Sequence, residues 1–240
     1  MNTLIKILKS GILVTLLLMA AACGEGSFLD INTDPNDAAE ATNIQLMPTA
    51  QANFVFGLSA MIERAGGTLV QHYINFRFDN YGFDGSTYNN DWAFQLYAGA
   101  LQDFQIIINQ GTEREEWHHV GIAKIQQAYI FSLLVDLFGD VPFSQALQGQ
   151  ENFNPTVDQG QDIYPQLFTM IEEGLADLEK TPTLALGAED LIYGGNLDRW
   201  RKMAATLQLK MWNQQRLVDP DGARGAINKL IADGNLIASE

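Results

Sequence analysis

Between residues 73 and 92 the chain reads YINFRFDNYGFDGSTYNNDW, with aromatic rings interleaved by Asn, Asp and Gly. Sugar binding without catalysis needs this combination: flat rings against the apolar face of a pyranose, and amides or carboxylates for its hydroxyls. Tyr81, Phe83, Tyr88 and Trp92 are the candidate stacking faces, with Asn89, Asn90 and Asp91 as polar partners. The competing reading for Trp92 is that it begins a helix and packs into the core, which is the default for such a residue. For Tyr81 and Tyr88 both readings stay open, since a tyrosine at a loop tip is costly to expose without a partner. Two other clusters invite chemistry and support it less. Glu115, Glu116, His118 and His119 offer ligand atoms at helical spacing, but HExxH is absent, no third ligand is visible, and acids are expected in a first helical turn. His72 has no evident partner and reads as an ordinary satisfied histidine. Asp136 with Asp140 resembles the carboxylate pair of a glycosidase. Asp136, however, falls at a helix end beside Gly139-Asp140-Val141-Pro142, where capping the turn is the simpler role. The chain has no Gly-x-Ser-x-Gly, no phosphate-binding or dinucleotide glycine motif and no available cysteine nucleophile, and Arg199, Arg201 and Lys202 suit a solvated helix face. The expectation is binding without catalysis, with no metal and no cofactor.

The one cysteine, Cys23, follows an apolar run ending in Ala20-Ala21-Ala22, itself preceded by Lys6 and Lys9. A cationic start, an apolar centre and small residues before a cut make a secretory signal. With cysteine as the first residue after the cut, the pattern resembles a bacterial lipoprotein signal, whose thiol becomes a thioether to diacylglycerol. Ala20 departs from the commonest form of that box, and the alternative is a plain secretory signal with a stray cysteine. Two or more acyl chains, at about 0.8 kcal/mol per buried methylene, make a stable anchor. This reading divides the chain into a signal at 1–22, a lipidated tether at 23–43 and a folded body at 44–240. After processing, 12 basic residues face 29 acidic ones, a formal charge of −17. Such a surface repels nucleic acid and anionic headgroups. No second apolar run is expected to reach the eighteen or more residues of a membrane helix.

The elements that must position these residues are helical. Thr42 or Asn43 caps a helix over about 45–65, closed by Gly66-Gly67, and residues 68–90 read as a long ordered loop. A second helix runs over 90–109 and stops at Gly111. Thr112 with Glu115 forms a capping box for a third helix of about 25 residues, with Ile122, Ile125, Tyr129 and Leu133 as its buried stripe. It ends near Phe138-Gly139, and the segment 144–158 is irregular. Pro165 favours a helix beginning near itself, over 164–180, despite a possible box at Asp158 and Gln161. A connector at 181–196 leads to Asn196, which caps a helix with the face Trp200, Met203, Ala204, Leu207 and Met211. Asp219-Pro220 opens the last helix, which ends at Asp233-Gly234. This makes six helices in antiparallel pairs, an all-α array of helical hairpins without a strand. The stop at Ser239-Glu240, with no terminal cap, reads as a truncation.

Four stretches then carry a resemblance. They are Phe28-Leu29-Asp30-Ile31-Asn32-Thr33-Asp34-Pro35-Asn36; the run YIFSLLVDLFGDVPFS from Tyr129 to Ser144; Asp162-Ile163-Tyr164 leading into Leu175-Ala176-Asp177-Leu178; and Asp190-Leu191-Ile192-Tyr193-Gly194-Gly195-Asn196 leading into Trp200-Arg201-Lys202-Met203-Ala204. Their order and spacing resemble the SusD/RagB family of nutrient-binding outer-membrane lipoproteins of Bacteroidota, in its SusD-like branch. The resemblance implies a fold of tetratricopeptide-like helical hairpins. It also implies a position on the extracellular side of the outer membrane, as a lid on a SusC-like, TonB-dependent barrel that receives a glycan or peptide. Family members are about twice as long, so the chain resembles their N-terminal half. The rival reading is a helical-repeat adaptor that assembles the transporter without binding a ligand of its own, and a more distant one is a glycan hydrolase. Cys23→Ala is expected to move the protein from the membrane to the soluble fraction on cell fractionation; retention in the membrane would refute the anchor.

Overall fold

The computed structural model describes residues 41–72, 74 and 89–238. α1 (Asn43–Gly57) starts at Thr42, whose N–H donates to Gln45 Oε1 at 3.0 Å, so Thr42 is the cap and Asn43 is already inside the helix. The chain continues through a π-helical stretch, Leu58–Ile62, into α2 (Glu63–Leu69). The expected stop at Gly66-Gly67 does not occur. Neither glycine takes positive φ, and helical glycine is disfavoured by only about 1 kcal/mol. A second π-helical stretch, Asn90–Leu101, runs into α3 (Gln102–Glu113) and passes straight through Gly111. There a Cβ would come within 2.7 Å of Val120 Cγ2, so this glycine admits a neighbour and does not end a helix.

The capping box at Thr112 and Glu115 is also corrected. Thr112 Oγ1 donates back to the Ile108 carbonyl at 2.6 Å inside the last turn of α3, and Glu115 takes a left-handed φ of 58°. α4 (Trp117–Phe138) begins only after Glu116. Ile122 and Ile125 are buried as expected, Tyr129 and Leu133 half so, and His119, Gln126, Gln127 and Ser132 are buried besides. Contrary to expectation, α4 is long and apolar enough to cross a membrane, with a window of mean hydropathy 1.3. Two-thirds of that window is buried within the protein, which marks it as the core helix.

Gly139, at φ 79°, ends α4 as expected. Two strands absent from the sequence reading follow: β1 (Val141–Pro142) pairs antiparallel with β2 (Val157–Asp158). α5 (Gly160–Leu178) begins four residues earlier than expected and contains Pro165. The carbonyl that loses its partner belongs to exposed Gln161, where water can satisfy it. α6 (Leu197–Gln215) and α7 (Pro220–Asp233) match their signals: Asn196 Oδ1 accepts from the Arg199 N–H at 3.1 Å, Asp219 Oδ1 from Gly222 N–H at 3.0 Å, and Gly234 is left-handed.

α4 packs most extensively on α5, flanked by α3, α1 and α6. The α4–α5 crossing is a backbone contact: a Cβ on Gly121 would sit 2.6 Å from the Gly174 carbonyl oxygen, and one on Gly174 2.8 Å from that of Gly121. The long connector before α6 is fixed by Asp190, which is 1% exposed. Its Oδ1 accepts from Gln51 Nε2 at 2.9 Å and from the Ile192 and Tyr193 N–H groups; its Oδ2 accepts from Gly195 N–H at 3.0 Å and Trp200 Nε1 at 2.7 Å. Gln51 Oε1 in turn accepts from the Leu191 N–H at 2.7 Å. Asp190→Ala would strand the Trp200 indole N–H and the Gln51 amide, each in a buried setting. The expected loss is about 3 kcal/mol or more, read as a fall in the urea midpoint with unchanged slope.

Candidate ligand-binding site

α3 carries three carboxamides at i, i+3 and i+7: Gln102, Gln105 and Asn109. That spacing puts them on one helix face. α4 adds Gln127, which is 1% exposed and donates through Nε2 to the Leu101 carbonyl at 3.1 Å and to Gln105 Oε1 at 3.3 Å. Gln105 Nε2 passes the relay to Asn109 Oδ1 at 2.9 Å. Each carboxamide has two donor hydrogens and a carbonyl acceptor, so this relay leaves the Asn109 donors uncommitted. These amides line a groove of about 550 Å³ together with Phe131, Phe143 and the turn from Ser144 to Glu151. An adjoining hollow of about 270 Å³ shares Gln105, Gln127, Phe143 and Met170 with it and reaches Lys124 and Glu173.

The lip of the groove is the segment after β1. Asp158 on β2 accepts from the Phe143 N–H (2.9 Å), the Ser144 N–H (2.8 Å) and Ser144 Oγ (2.7 Å). These bonds, the Ser144 backbone N–H foremost, hold the Asp158 carboxyl below the usual carboxylate range. Tyr97 clamps the same lip by donating its hydroxyl to the Pro142 carbonyl at 2.7 Å, and burial pushes its phenol pKa up. At the far end burial opposes the charge of Lys124, but Asp177 at 2.9 Å and Glu173 at 3.2 Å outweigh it and raise the ammonium above the ordinary lysine range. The groove therefore combines an aromatic wall with neutral amides, an arrangement suited to a polyhydroxylated ligand.

The residues singled out in the sequence fall in different places. Cys23, Tyr81 and Tyr88 lie outside the described residues. Asn90 is exposed at the start of its helix. Trp92 is half-buried, its ring 4.5 Å from Phe138 edge-on and 5.2 Å from Tyr97. Tyr97 contacts Phe131 at 6.1 Å and Phe131 contacts Phe143 at 4.8 Å, so a line of rings links Trp92 to the groove wall.

Contrary to the expectation from sequence, Asp136 does not cap the turn; its oxygens accept from the Tyr164 hydroxyl at 2.7 Å and Lys210 Nζ at 3.0 Å, tying α4 to α5 and α6. Asp140 instead accepts from the Gly160 N–H at 3.0 Å and ties the turn to the start of α5. Glu116 accepts from Asn43 at 2.6 Å, and buried His119 meets Glu189 at 3.0 Å. The amide set on α3 and α4 is what the sequence reading missed, although the spacing of Gln102, Gln105 and Asn109 was visible in it.

The sequence model of a SusD-like family, described as starch-binding and associating with the outer membrane, matches residues 35–239. Among solved structures, a SusD/RagB family protein of Bacteroides thetaiotaomicron superposes with a TM-score of 0.74 at 22% identity, over 83% of this chain and 44% of its own. A chitin-binding protein superposes at 0.68 with 23% identity, over 83% and 44%, and a SusD homolog of Parabacteroides distasonis at 0.64 with 20%, over 83% and 40%. The chain thus spans less than half the length of these structures. No curated protein matches it in sequence.

α3 also carries half-buried Asp103, whose carboxyl burial raises to about 6 from an ordinary 3.8. A raised acid binds its proton more tightly in the folded state, so this group favours folding at low pH and opposes it once ionised. The contribution is lost as pH rises from about 4 to 6. Asp103→Asn is expected to stabilise the protein by about 1 kcal/mol at pH 8, after allowing for solvent screening of a half-exposed group. The gain should vanish below pH 4, which thermal unfolding across pH will show.

Proposed function

This chain belongs to the SusD-like family, and from that premise we propose that it is a non-enzymatic nutrient-binding lipoprotein of the outer membrane. The ligand is a glycan, and the chain passes it to a SusC-like TonB-dependent barrel. The observation that carries this reading is the amide-lined groove on the helical scaffold. Gln102, Gln105 and Asn109 would meet sugar hydroxyls, and Phe143 would offer an apolar surface to the ring. Asn90 and Trp92, at the other end of the line of rings, would extend the contact along an oligosaccharide, and Tyr81 and Tyr88 would add stacking faces of their own. Acylated Cys23 would hold the protein on the extracellular side, with the residues between it and α1 as its leash. Nothing in this mechanism makes or breaks a bond of the ligand; import draws its energy from the TonB system.

The carboxylates fit binding better than hydrolysis. A glycosidase needs an acid and a base free to exchange protons with the substrate. Asp136 is committed to Tyr164 and Lys210, and Asp140 to the start of α5.

Affinity electrophoresis of the full-length chain through gels containing soluble starch or glycol chitin tests the proposal. Retardation by at least one polysaccharide is expected, weakened roughly five- to tenfold in Gln105→Ala and in Phe143→Ala, the effect of about one lost hydrogen bond or ring contact. Absence of retardation on every polysaccharide would refute glycan binding, and release of reducing ends would replace it with hydrolysis.

A further inference from the structure

Among the residues that line the amide groove, only Glu151 is ionisable. It closes a short 3-10 turn, Gly149–Glu151, and its backbone N–H donates to the Gln148 carbonyl at 3.2 Å. Gln145 ties down the chain just beyond it: the Gln145 carbonyl accepts from Asn152 Nδ2 and Gln145 Oε1 from the Thr156 N–H, both at 3.3 Å. The Glu151 side chain is exposed and makes no hydrogen bond or ion pair among the described residues.

The neighbouring charges are answered within the protein. Asp158 accepts three hydrogen bonds from the lip, and Glu173 in the adjoining hollow pairs with Lys124 at 3.2 Å. An apolar groove of about 430 Å³ between α1, α4, the connector and α6 also carries a single charge, Lys210, and that one pairs with Asp136 at 3.0 Å. Glu151 has no such partner, and no basic residue lines the amide groove with it.

A ligand that covers Glu151 strips water from a carboxylate, which is costly unless the ligand brings donors of its own. A cationic donor makes a shorter and stronger bond to it than a hydroxyl does. An anionic ligand would meet the carboxylate with nothing in the groove to offset the repulsion, on a chain of formal charge −15. We propose that Glu151 sets the charge selectivity of the groove: it favours glycans bearing free amino groups, takes neutral ones more weakly and rejects those bearing carboxylates or sulfates. The inference rests on the glycan-binding reading and adds to it the class of glycan. The carboxamides of α3 and the Phe143 ring meet hydroxyls and ring faces, which all these sugars share. Only Glu151 meets the group in which they differ.

The test is titration calorimetry of the full-length chain with β-1,4-linked tetramers of glucosamine, glucose and glucuronate. It is run at about pH 6, where a carboxylate is ionised and a sugar amine carries its proton. The glucosamine tetramer is expected to bind roughly fivefold more tightly than the glucose tetramer, and the glucuronate tetramer roughly fivefold more weakly, the size of one exposed ionic contact. Both gaps should narrow in about 0.5 M salt. Glu151→Gln is expected to bring the three affinities together and Glu151→Lys to reverse their order, in variants whose melting temperature is unchanged. Asp233→Asn, which removes the same charge from exposed α7 outside the groove, is expected to leave the order as it is. Equal affinity for the glucose and glucuronate tetramers, or an unchanged order in Glu151→Gln, would overturn the inference. Tetralysine binding as tightly as the glucosamine tetramer would reveal a bare cation trap and overturn the assignment to an amino sugar. If none of the three tetramers bound while starch or glycol chitin still retarded the chain, the inference would fall and the glycan reading would stand; loss of retardation as well would remove both.

Discussion

One buried carboxylate, Asp190, decides where α6 lies against α1. The connector that precedes α6 is irregular, and a segment without helix or sheet must still satisfy its backbone donors. Asp190 takes three of them, at Ile192, Tyr193 and Gly195, and with the same two oxygens takes the Gln51 amide of α1 and the Trp200 indole of α6. Gly195 is required at its place: its φ is 79°, and a Cβ there would lie 2.7 Å from the Leu186 carbonyl oxygen. A lone buried carboxyl group would be expensive, but this one is surrounded by five donors and fixes three segments at once. Trp200, with no exposed surface, is thereby located to within a hydrogen bond, and the groove it lines with it.

The second constraint is steric. α4 and α5 meet backbone to backbone at Gly121 and Gly174, closer than any side chain permits. Asp136 then pins the other end of the same pair through Tyr164, whose phenol is driven well above its ordinary range, first by burial and then by that hydrogen bond. Asp136, which looked most like a catalytic candidate, thus fastens the scaffold, with one oxygen on Tyr164 and the other on Lys210.

What could be read from the sequence was the local chemistry. The caps at Thr42, Asn196 and Asp219 and the stops at Gly139 and Gly234 depend on side chains within a few residues of the backbone they serve, so each was legible. Gly111 and Gly121 were not, because their reason is a neighbour distant in the chain: Gly111 admits Val120, and Gly121 admits Gly174. Gly66-Gly67 misled for a related cause, since a glycine pair permits a helix end without compelling one. Pro165 misled because its freed carbonyl falls on exposed Gln161. The apolar length of α4 was undercounted because His119, Gln126, Gln127 and Ser132 interrupt it, though all four are buried. For the groove, the triplet Gln102, Gln105 and Asn109 was present in the helical spacing, but the wall it faces comes from residues 143–151, which only the fold brings near.

Gln126 and Gln127 show how one helix serves two grooves. Successive residues on an α-helix are turned by about 100°, so neighbouring glutamines on α4 face different neighbours. Gln127 enters the amide relay with Gln105, while Gln126 lines the apolar groove beside Tyr129. A helix with solvent on one side can line only one packed surface. A helix buried nearly all round must complete several, and this accounts for four polar side chains in the core of α4. The cost of burying Gln127 is offset by its two hydrogen bonds inside the protein. For Gln126 no such bond is made, its Nε2 and Oε1 both lacking a partner within the protein.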